Sequence, residues 1–499
     1  MTRARPTVAA VVLSTIVLVA GCGSTVPLAS RPAAARTGTA SRDSSLGPAS
    51  ATGSETGAAS AAISRGGSAG SASGVVPSGA TTRATSPLTG TSQGSARAAN
   101  HSPISLGVLY TVNDGAESAG INNGNNFTLK QAVTAFVDGY NAAGGIAGRR
   151  IQPAYAEVHS ASNDYEAQTQ AACSTFTQDR HVAAVIANVG YHSDILVSCL
   201  AKANVPLITG DWDAPDQRDA DRYPLFVTPA SIVGDTRVAA VVQRLAASGF
   251  LQPRNKVGAI VEDCPVDGRV YDNALVPALK RAGLTLAATY RPRCFQSIQD
   301  YGGQASDVQG AVLQFNRSGV DRVIVVSQAA EANIVDLFAQ GADAQHYLPG
   351  YALSSAAAPA VLALNAPAGQ LANMQGVGWL PASDTQNTQQ APPTSTAARC
   401  LALLQKQGLR PASAADYAYV YGPCDTFSLY EAALRATNGD STTSAVMRAL
   451  PVVGQTYVSA STVDGKIAVS PAGRIGAGAV RLFAWTGGRF QYTSGSFPL

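Results

Sequence analysis

Lysine is scarce in this chain. Only six of its 35 basic residues are Lys, and charged residues of both signs fill 13% of the 499 positions. Residues 1–103 hold eight of the Arg and two of the acids, which leaves 27 basic and 30 acidic residues for the rest. No cluster of Lys or Arg remains to neutralise phosphates, so nucleic acid is excluded as a partner. Catalytic signatures are missing too. There is no His-Glu-x-x-His, no Walker loop, and no Gly-x-Gly-x-x-Gly after a strand. The one Gly-x-Ser-x-Gly match, at residues 66–70, has neither a strand before it nor a helix after it, so it forms no nucleophile elbow. There is no Cys-x-x-Cys, and none of the five His stands at zinc spacing from a Cys. The expectation is a non-enzyme without metal or cofactor.

Long apolar runs are also absent. The stretch from Val8 to Ala20 is shorter than the roughly 20 residues a membrane span needs. With Arg3 and Arg5 before it, it reads as a signal peptide over 1–21. Its exit, Val19-Ala20-Gly21-Cys22, resembles a bacterial lipobox, which implies an acylated Cys22 as first mature residue. An ordinary signal peptide with an incidental Cys is the other reading. Residues 23–103 contain 63 Ser, Ala, Gly, Thr or Pro among 81. Such a composition buries too little to offset backbone ordering, so 22–103 reads as a lipidated Cys and a disordered tether. The remaining six cysteines, Cys173, Cys199, Cys264, Cys294, Cys400 and Cys424, suit disulfides in an exported chain. Sequence permits 15 pairings. Pairing of nearest neighbours is expected.

From residue 104 onward short apolar runs alternate with helical periodicity. Ile104–Tyr110, Arg150–Val158, Val182–Asn188 and Val205–Thr209 read as strands. Between them Phe127–Ala143 puts Leu129, Ala132, Val133, Phe136 and Tyr140 on one helical face, and Gly144-Gly145 stops it. The pattern restarts after residue 230, with strands at Lys256–Val261, Thr285–Tyr290, Arg322–Val326 and Tyr347–Ala352. Continuous apolar strands joined by helices imply parallel sheets covered on both faces. Two doubly wound α/β lobes follow. In the tail, Ala415–Thr437 reads as a helix broken near Gly422-Pro423, and short strands are expected near Tyr457, Ile467, Val480–Trp485 and Phe490.

The run Asn141-Ala142-Ala143-Gly144-Gly145-Ile146-Ala147-Gly148-Arg149-Arg150-Ile151 resembles the helix-to-strand turn of the Leu/Ile/Val-binding protein family. Residues 203–209, 224–229 and 320–324 resemble further segments of that family, in the same order. The resemblance implies the type 1 periplasmic-binding fold: two parallel-sheet lobes joined by a hinge. Lobe 1 would take 104–229 plus 378–456, and lobe 2 would take 230–377 plus 457–499. It further implies a monomeric solute-binding lipoprotein, anchored outside the cytoplasm, that hands a small molecule to an ABC transporter permease. A sensor that signals to a membrane receptor or kinase would look alike.

Open parallel sheets bind ligands beyond the carboxyl ends of their strands. In the first lobe the matching loops hold Tyr191, His192 and Ser193, then Asp211 and Trp212. Ser193 is equally suited to cap the next helix. His192 in a cleft could supply a group that changes charge near neutral pH; a solvated His is the other reading. Trp212 offers a plate for stacking on a ring or a cation, or else closes a lobe surface. Asp211, Asp213 and Asp216 read otherwise as solvated carboxylates. In the second lobe the family supplies an acid to pair a ligand ammonium, where this chain reads Ala352-Leu353-Ser354-Ser355. Asp267 stands where the family has a Tyr before Gly, and Gln328 follows the strand at 322–326. The amino-acid clamp is incomplete: Asp211 or Asp267 substitutes for the lost acid, or the ligand is not an α-amino acid. Tyr110, Asn113, Tyr351 and Trp379 also lie near strand ends, as packing residues.

Overall fold

The computed structural model describes residues 101–114, 124–162, 164–189, 193–210, 215–295, 300–328, 330–470 and 474–499. The signal peptide, Cys22, the tether, Tyr191, His192, Asp211, Trp212 and Asp213 lie outside the described residues. No helix among the described residues is long and apolar enough to cross a membrane.

The first sheet is wholly parallel. Its strands are β1 (Ile104–Val112), β2 (Ile151–His159), β3 (Ala184–Asn188), β4 (Leu207–Thr209) and β5 (Phe226–Val227), in the order β2-β1-β3-β4-β5. Every residue of β3 is buried, as a central strand covered on both faces requires. Helices Leu129–Ala142 and Ala414–Ala436 share one core with β1, while Tyr165–Ser174 and Asp194–Lys202 cover the other face. The first lobe therefore recruits helices from almost 300 residues downstream.

The Asn141–Ile151 run has a local explanation. Helix Leu129–Ala142 opens with a capping box, Gln131 N–H to Thr128 Oγ1 at 3.2 Å and Thr128 N–H to Gln131 Oε1 at 2.7 Å. It ends where Gly144 and Gly145 take φ of +98° and +91°. A Cβ on Gly145 would sit 2.2 Å from the Arg149 carbonyl oxygen, so only Gly fits. The Asn141 amide then bonds both backbone groups of Ile151, at 2.8 and 3.0 Å, and starts β2. The buried Arg149 guanidinium donates to the carbonyls of Ser102, Pro103 and Gly439, which ties this turn to the start of β1 and to the later helices.

The second sheet holds β6 (Lys256–Val261), β7 (Thr285–Tyr290), β8 (Arg322–Val326), β9 (Gly350–Ser354) and β10 (Met374–Gly378) as parallel neighbours in the order β7-β6-β8-β9-β10. A hairpin, β11 (Ile467–Val469) and β12 (Ile475–Ala477), precedes the last elements. β13 (Ala479–Thr486) then adds antiparallel to β10 and β14 (Arg489–Tyr492) to β13, with β15 (Phe497–Pro498) also on β13.

Two expectations need correction. Ala414–Ala436 runs unbroken through Pro423. Proline has no N–H and so forfeits one helical bond, but buried packing on both sides holds the helix. Tyr457 lies in no strand; its hydroxyl donates instead to Asp425 Oδ1, at 2.9 Å.

The chain passes between the sheets three times, at 228–233, 379–394 and 455–478. The crossings are tied to one another. Trp379 Nε1 donates to the Ala230 carbonyl at 3.0 Å, Ala477 N–H to Ser231 at 2.9 Å, and Thr394 Oγ1 to Ser459 at 2.8 Å. The third is pinned to the first lobe by Asp425, a buried helical carboxylate that accepts from Ser459 Oγ, Ala460 N and Ser461 N. Burial pushes its pKa up against those donors.

Candidate functional site

The carboxyl ends of the parallel strands gather the buried polar groups of both lobes. In the first lobe β1 runs into Asn113, whose amide donates to the Tyr419 hydroxyl on helix Ala414–Ala436. Burial pushes the Tyr419 phenol up to about 12. β3 ends at Asn188, which is 4% exposed, and its Nδ2 has no hydrogen-bond partner among the described residues. β4 leads into Gly210, where a Cβ would sit 2.5 Å from Asn188 Oδ1 and 2.6 Å from the Gly422 carbonyl. Glycine at both 210 and 422 lets the helix close over the strand ends. Sequence reasoning missed Asn188, Tyr419 and this close approach; the paired glycines, 212 positions apart, were the one signal.

Ser193 does what an N-cap does. Its Oγ accepts from Leu196 N at 3.2 Å and lies 3.0 Å from Thr169 Oγ1, at the start of helix Asp194–Lys202. Three of the four packing residues are accounted for: Tyr351 donates to Gln370 Oε1 at 2.7 Å, Trp379 is buried, and Tyr110 donates to Glu157 at 3.0 Å.

In the second lobe Glu262 follows β6 and is fully buried. It accepts from Phe295 N at 2.8 Å, from Gln304 Nε2 at 3.0 Å and from Ser327 Oγ. Burial outweighs these donors and raises its pKa to about 7. Cys264 caps the short helix Pro265–Val270, which carries Asp267 and Arg269. Asp267 is 1% exposed and Gln328, just past β8, is 6% exposed. A Cβ on Gly234, at the start of helix Gly234–Ala247, would meet Gln328 Nε2 at 2.6 Å and Val270 at 3.1 Å. The structure thus brings Gln328 and the helix that carries Asp267 to one end of the second sheet, with Ser193 at the matching end of the first.

Acidic oxygens of Glu262 and Asp267 lie within 4.8 Å of the Cys264 sulfur. That sulfur is bonded to Cys294, so it offers no thiolate to a metal. The other pairs at bonding distance are Cys173 with Cys199 and Cys400 with Cys424.

One group links the two lobes directly. Arg269 donates from Nε to Asp216 Oδ2 and from Nη2 to Asp219 Oδ2, the latter at 2.5 Å. Both acids lie between β4 and β5 of the first sheet. The same segment bonds the second lobe at Gly234 N to Pro215 O, 3.2 Å, and at Gln217 N to Asp235 Oδ2, 2.7 Å. Asp216 is therefore not a solvated carboxylate; it is 2% exposed and caps helix Gln217–Arg222. Burial alone would raise it, but Arg269 and the Asp219 N–H hold it below its ordinary value. Asp219 is pushed up by burial and by the charge of Asp216.

Solved structures share this architecture at low identity. A solute-binding protein of an ABC transporter from Rhodopseudomonas palustris BisB5, in complex with 3,4-dihydroxybenzoic acid, is 14% identical, with a TM-score of 0.56 over 79% of this chain and 97% of that one. A branched-chain amino acid ABC transporter protein from Thermus thermophilus with bound valine is 13% identical, with a TM-score of 0.57 over 80% and 97%. A leucine-binding protein from Thermotoga maritima is 11% identical, with a TM-score of 0.56 over 79% and 99%. No curated protein matches the sequence. The family model described as periplasmic binding protein matches residues 103–489, and with one wholly parallel sheet, a second sheet with a parallel core, three crossings and polar groups at both sets of strand ends, the chain belongs to the periplasmic binding protein family, whose members bind solutes outside the cytoplasm rather than catalyse reactions.

Proposed function

We propose that the chain is a lipoprotein, anchored through Cys22, that captures a small polar solute between its lobes and delivers it to an ABC transporter permease as a monomer. The observation that carries this reading is the convergence of buried polar groups on the strand ends of both lobes in a member of a binding-protein family. Tyr191, His192, Ser193, Asp211 and Trp212 contribute from the first lobe, with Asp267 and Gln328 from the second. Asn188 adds an amide donor where a ligand carboxylate would lie. Trp212 supplies the apolar area that makes closure favourable.

The solute is a small organic acid or an amino-acid-like molecule, since relatives of this fold hold valine and 3,4-dihydroxybenzoic acid. The end of β9 reads Ser354-Ser355, and the acid beside it, Glu331, already accepts from Ser354 N at 3.1 Å and Ser354 Oγ at 2.9 Å and faces Arg237 Nη1 at 3.8 Å, which leaves no acid there for an ammonium. Unmodified leucine or valine should therefore bind weakly. Calorimetry with leucine, valine and 3,4-dihydroxybenzoate tests this, after a thermal-shift screen, in which a ligand at 100 times its Kd adds about 2.7 kcal/mol. A hit should lose at least several-fold in affinity in Trp212→Ala. Micromolar leucine binding that survives loss of both Asp211 and Trp212 would sink the site assignment. Transport into vesicles that contain the permease distinguishes delivery from signalling.

A further inference from the structure

A cavity of about 250 Å³ lies between the second and third crossings. Its walls come from both lobes: Gln390 and Pro392 from one crossing, Ser461 and Asp464 from the other, Tyr421 from the first-lobe helix and Arg481 from β13. It shares no wall residue with the strand-end groups described above. By the same kind of volume a single water needs only about 10–15 Å³, whereas drug-sized pockets start near 300 Å³. The space therefore suits a small organic molecule rather than a lone water.

Two donors in its wall are unused. Ser461 is 6% exposed, and its N–H is taken by Asp425 Oδ2 and Ser459 Oγ, but its hydroxyl, beside the Asp425 carboxylate, makes no hydrogen bond of good geometry among the described residues. Arg481 donates from Nη2 to Asp464 at 2.6 Å and from Nη1 to the Gln390 carbonyl at 3.4 Å, and its guanidinium lies 5.3 Å from the Tyr492 ring centre. Its buried Nε has no partner. Buried donors nearly always have an acceptor. Arg481 and Lys466 flank the carboxylate of Asp464, with Lys466 at 3.9 Å, while the Asp425 carboxylate lies behind the Ser461 N–H. Pro381, Ala391 and Ala460 supply apolar wall.

We propose that this hinge cavity is a second ligand site, which takes a small monocarboxylate with a compact apolar body. The carboxylate accepts from Ser461 Oγ and Arg481 Nε, and the body rests on the prolines and alanines. A ligand held there touches both crossings, so its binding is linked to lobe closure and hence to affinity in the cleft.

The test is a ligand-observed NMR titration of the full chain with isobutyrate and with its neutral isostere isobutyramide. Isobutyrate should saturate, and the amide should bind at least five-fold more weakly. Ser461→Ala removes the hydroxyl beside Asp425 and should lose at least five-fold in isobutyrate affinity, with its fold checked by thermal melting. Arg481→Lys keeps the charge without Nε and should lose a similar factor. Trp212→Ala, which alters the cleft and so can shift closure, should leave the preference for the acid over the amide unchanged. Absence of saturation, equal binding of acid and amide, or full affinity in Ser461→Ala overturns the proposal. Loss of that preference in Trp212→Ala alone would place the acid in the cleft and overturns it too.

Discussion

Arg269 Nη2 stands 2.5 Å from Asp219 Oδ2, and this bond joins a helix of the second lobe to a segment that belongs to the first sheet. With Asp216 as second acceptor, the guanidinium holds two acids that would otherwise repel each other. Arg269→Ala would leave both carboxylates beside the second lobe without their cation. Arg269 is a quarter exposed, so solvent screens part of the loss. We expect a cost of about 2 kcal/mol in stability, by denaturant unfolding, and a larger radius of gyration in X-ray scattering as the lobes part. An unchanged radius would show that the ion pair does not hold the lobes together.

Stability should fall as pH rises from 5 to 8. Glu262 has a folded pKa of about 7 against an ordinary 4.5, because burial penalises its charge. Below pH 4.5 the group is neutral in both states and costs nothing. Between 4.5 and 7 the unfolded chain releases its proton first, so unfolding becomes progressively easier, and above 7 the penalty is constant. A shift of that size is on the order of 3 kcal/mol. Asp384, raised to about 7 mainly by burial, adds a loss of the same sign. Thermal melts of Glu262→Gln should show a flatter profile over this range, and Asp384→Asn should flatten it further. A profile in the double variant as steep as the wild type would contradict this.

Gly210→Ala should break the closure of helix Ala414–Ala436 over the strand ends. The new methyl would meet backbone carbon and oxygen of Gly422 at 2.6 Å, and no side-chain rotation relieves that. A loss of at least about 2 kcal/mol is expected from overpacking. Crystallography should show the helix displaced near Gly422. Wild-type stability with an undisturbed helix would refute the close approach.

Reduction of Cys264–Cys294 should loosen the helix that presents Asp267 and Arg269. The bridge closes a loop of 30 residues between the ends of β6 and β7. By loop entropy it contributes about 3–4 kcal/mol. In Cys264→Ser with Cys294→Ser, amide exchange should accelerate at 264–270 more than at the distant Cys400–Cys424 pair. Equal protection of 264–270 in the double variant and the wild type would dismiss the effect.

Most of the scaffold was legible because burial imposes its own period. Residues 182–187 are apolar without alternation, and β3 is accordingly buried throughout. The turn at Gly144-Gly145 was legible because two positive φ angles admit few alternatives. Pro423 misled, since a proline marks a local defect while the packing that overrides it is tertiary. Asp216 misled for the same reason: its partner Arg269 is 53 residues away, and a cluster of acids looks solvated until the cation is found. Ser193 suited both a cap and a ligand contact, and the geometry shows the cap. Asn188 could not be singled out, because an Asn at a strand end is common and only burial distinguishes this one.

The first lobe also sets the order in which the protein can be made. β1 to β5 are finished by residue 227, yet the apolar face they share with helix Leu129–Ala142 is sealed by Phe427, Tyr430 and Leu434. Asn126 waits for Asp416, 290 residues later, and Arg149 waits for Gly439 over the same span. A nascent chain must therefore keep this half-built surface from sticking to its neighbours until nearly nine-tenths of the protein exists. Contacts of such long range make folding slow and intermediates prone to aggregate. A chain that stops short of Leu434 should accumulate as insoluble material, however complete its strands.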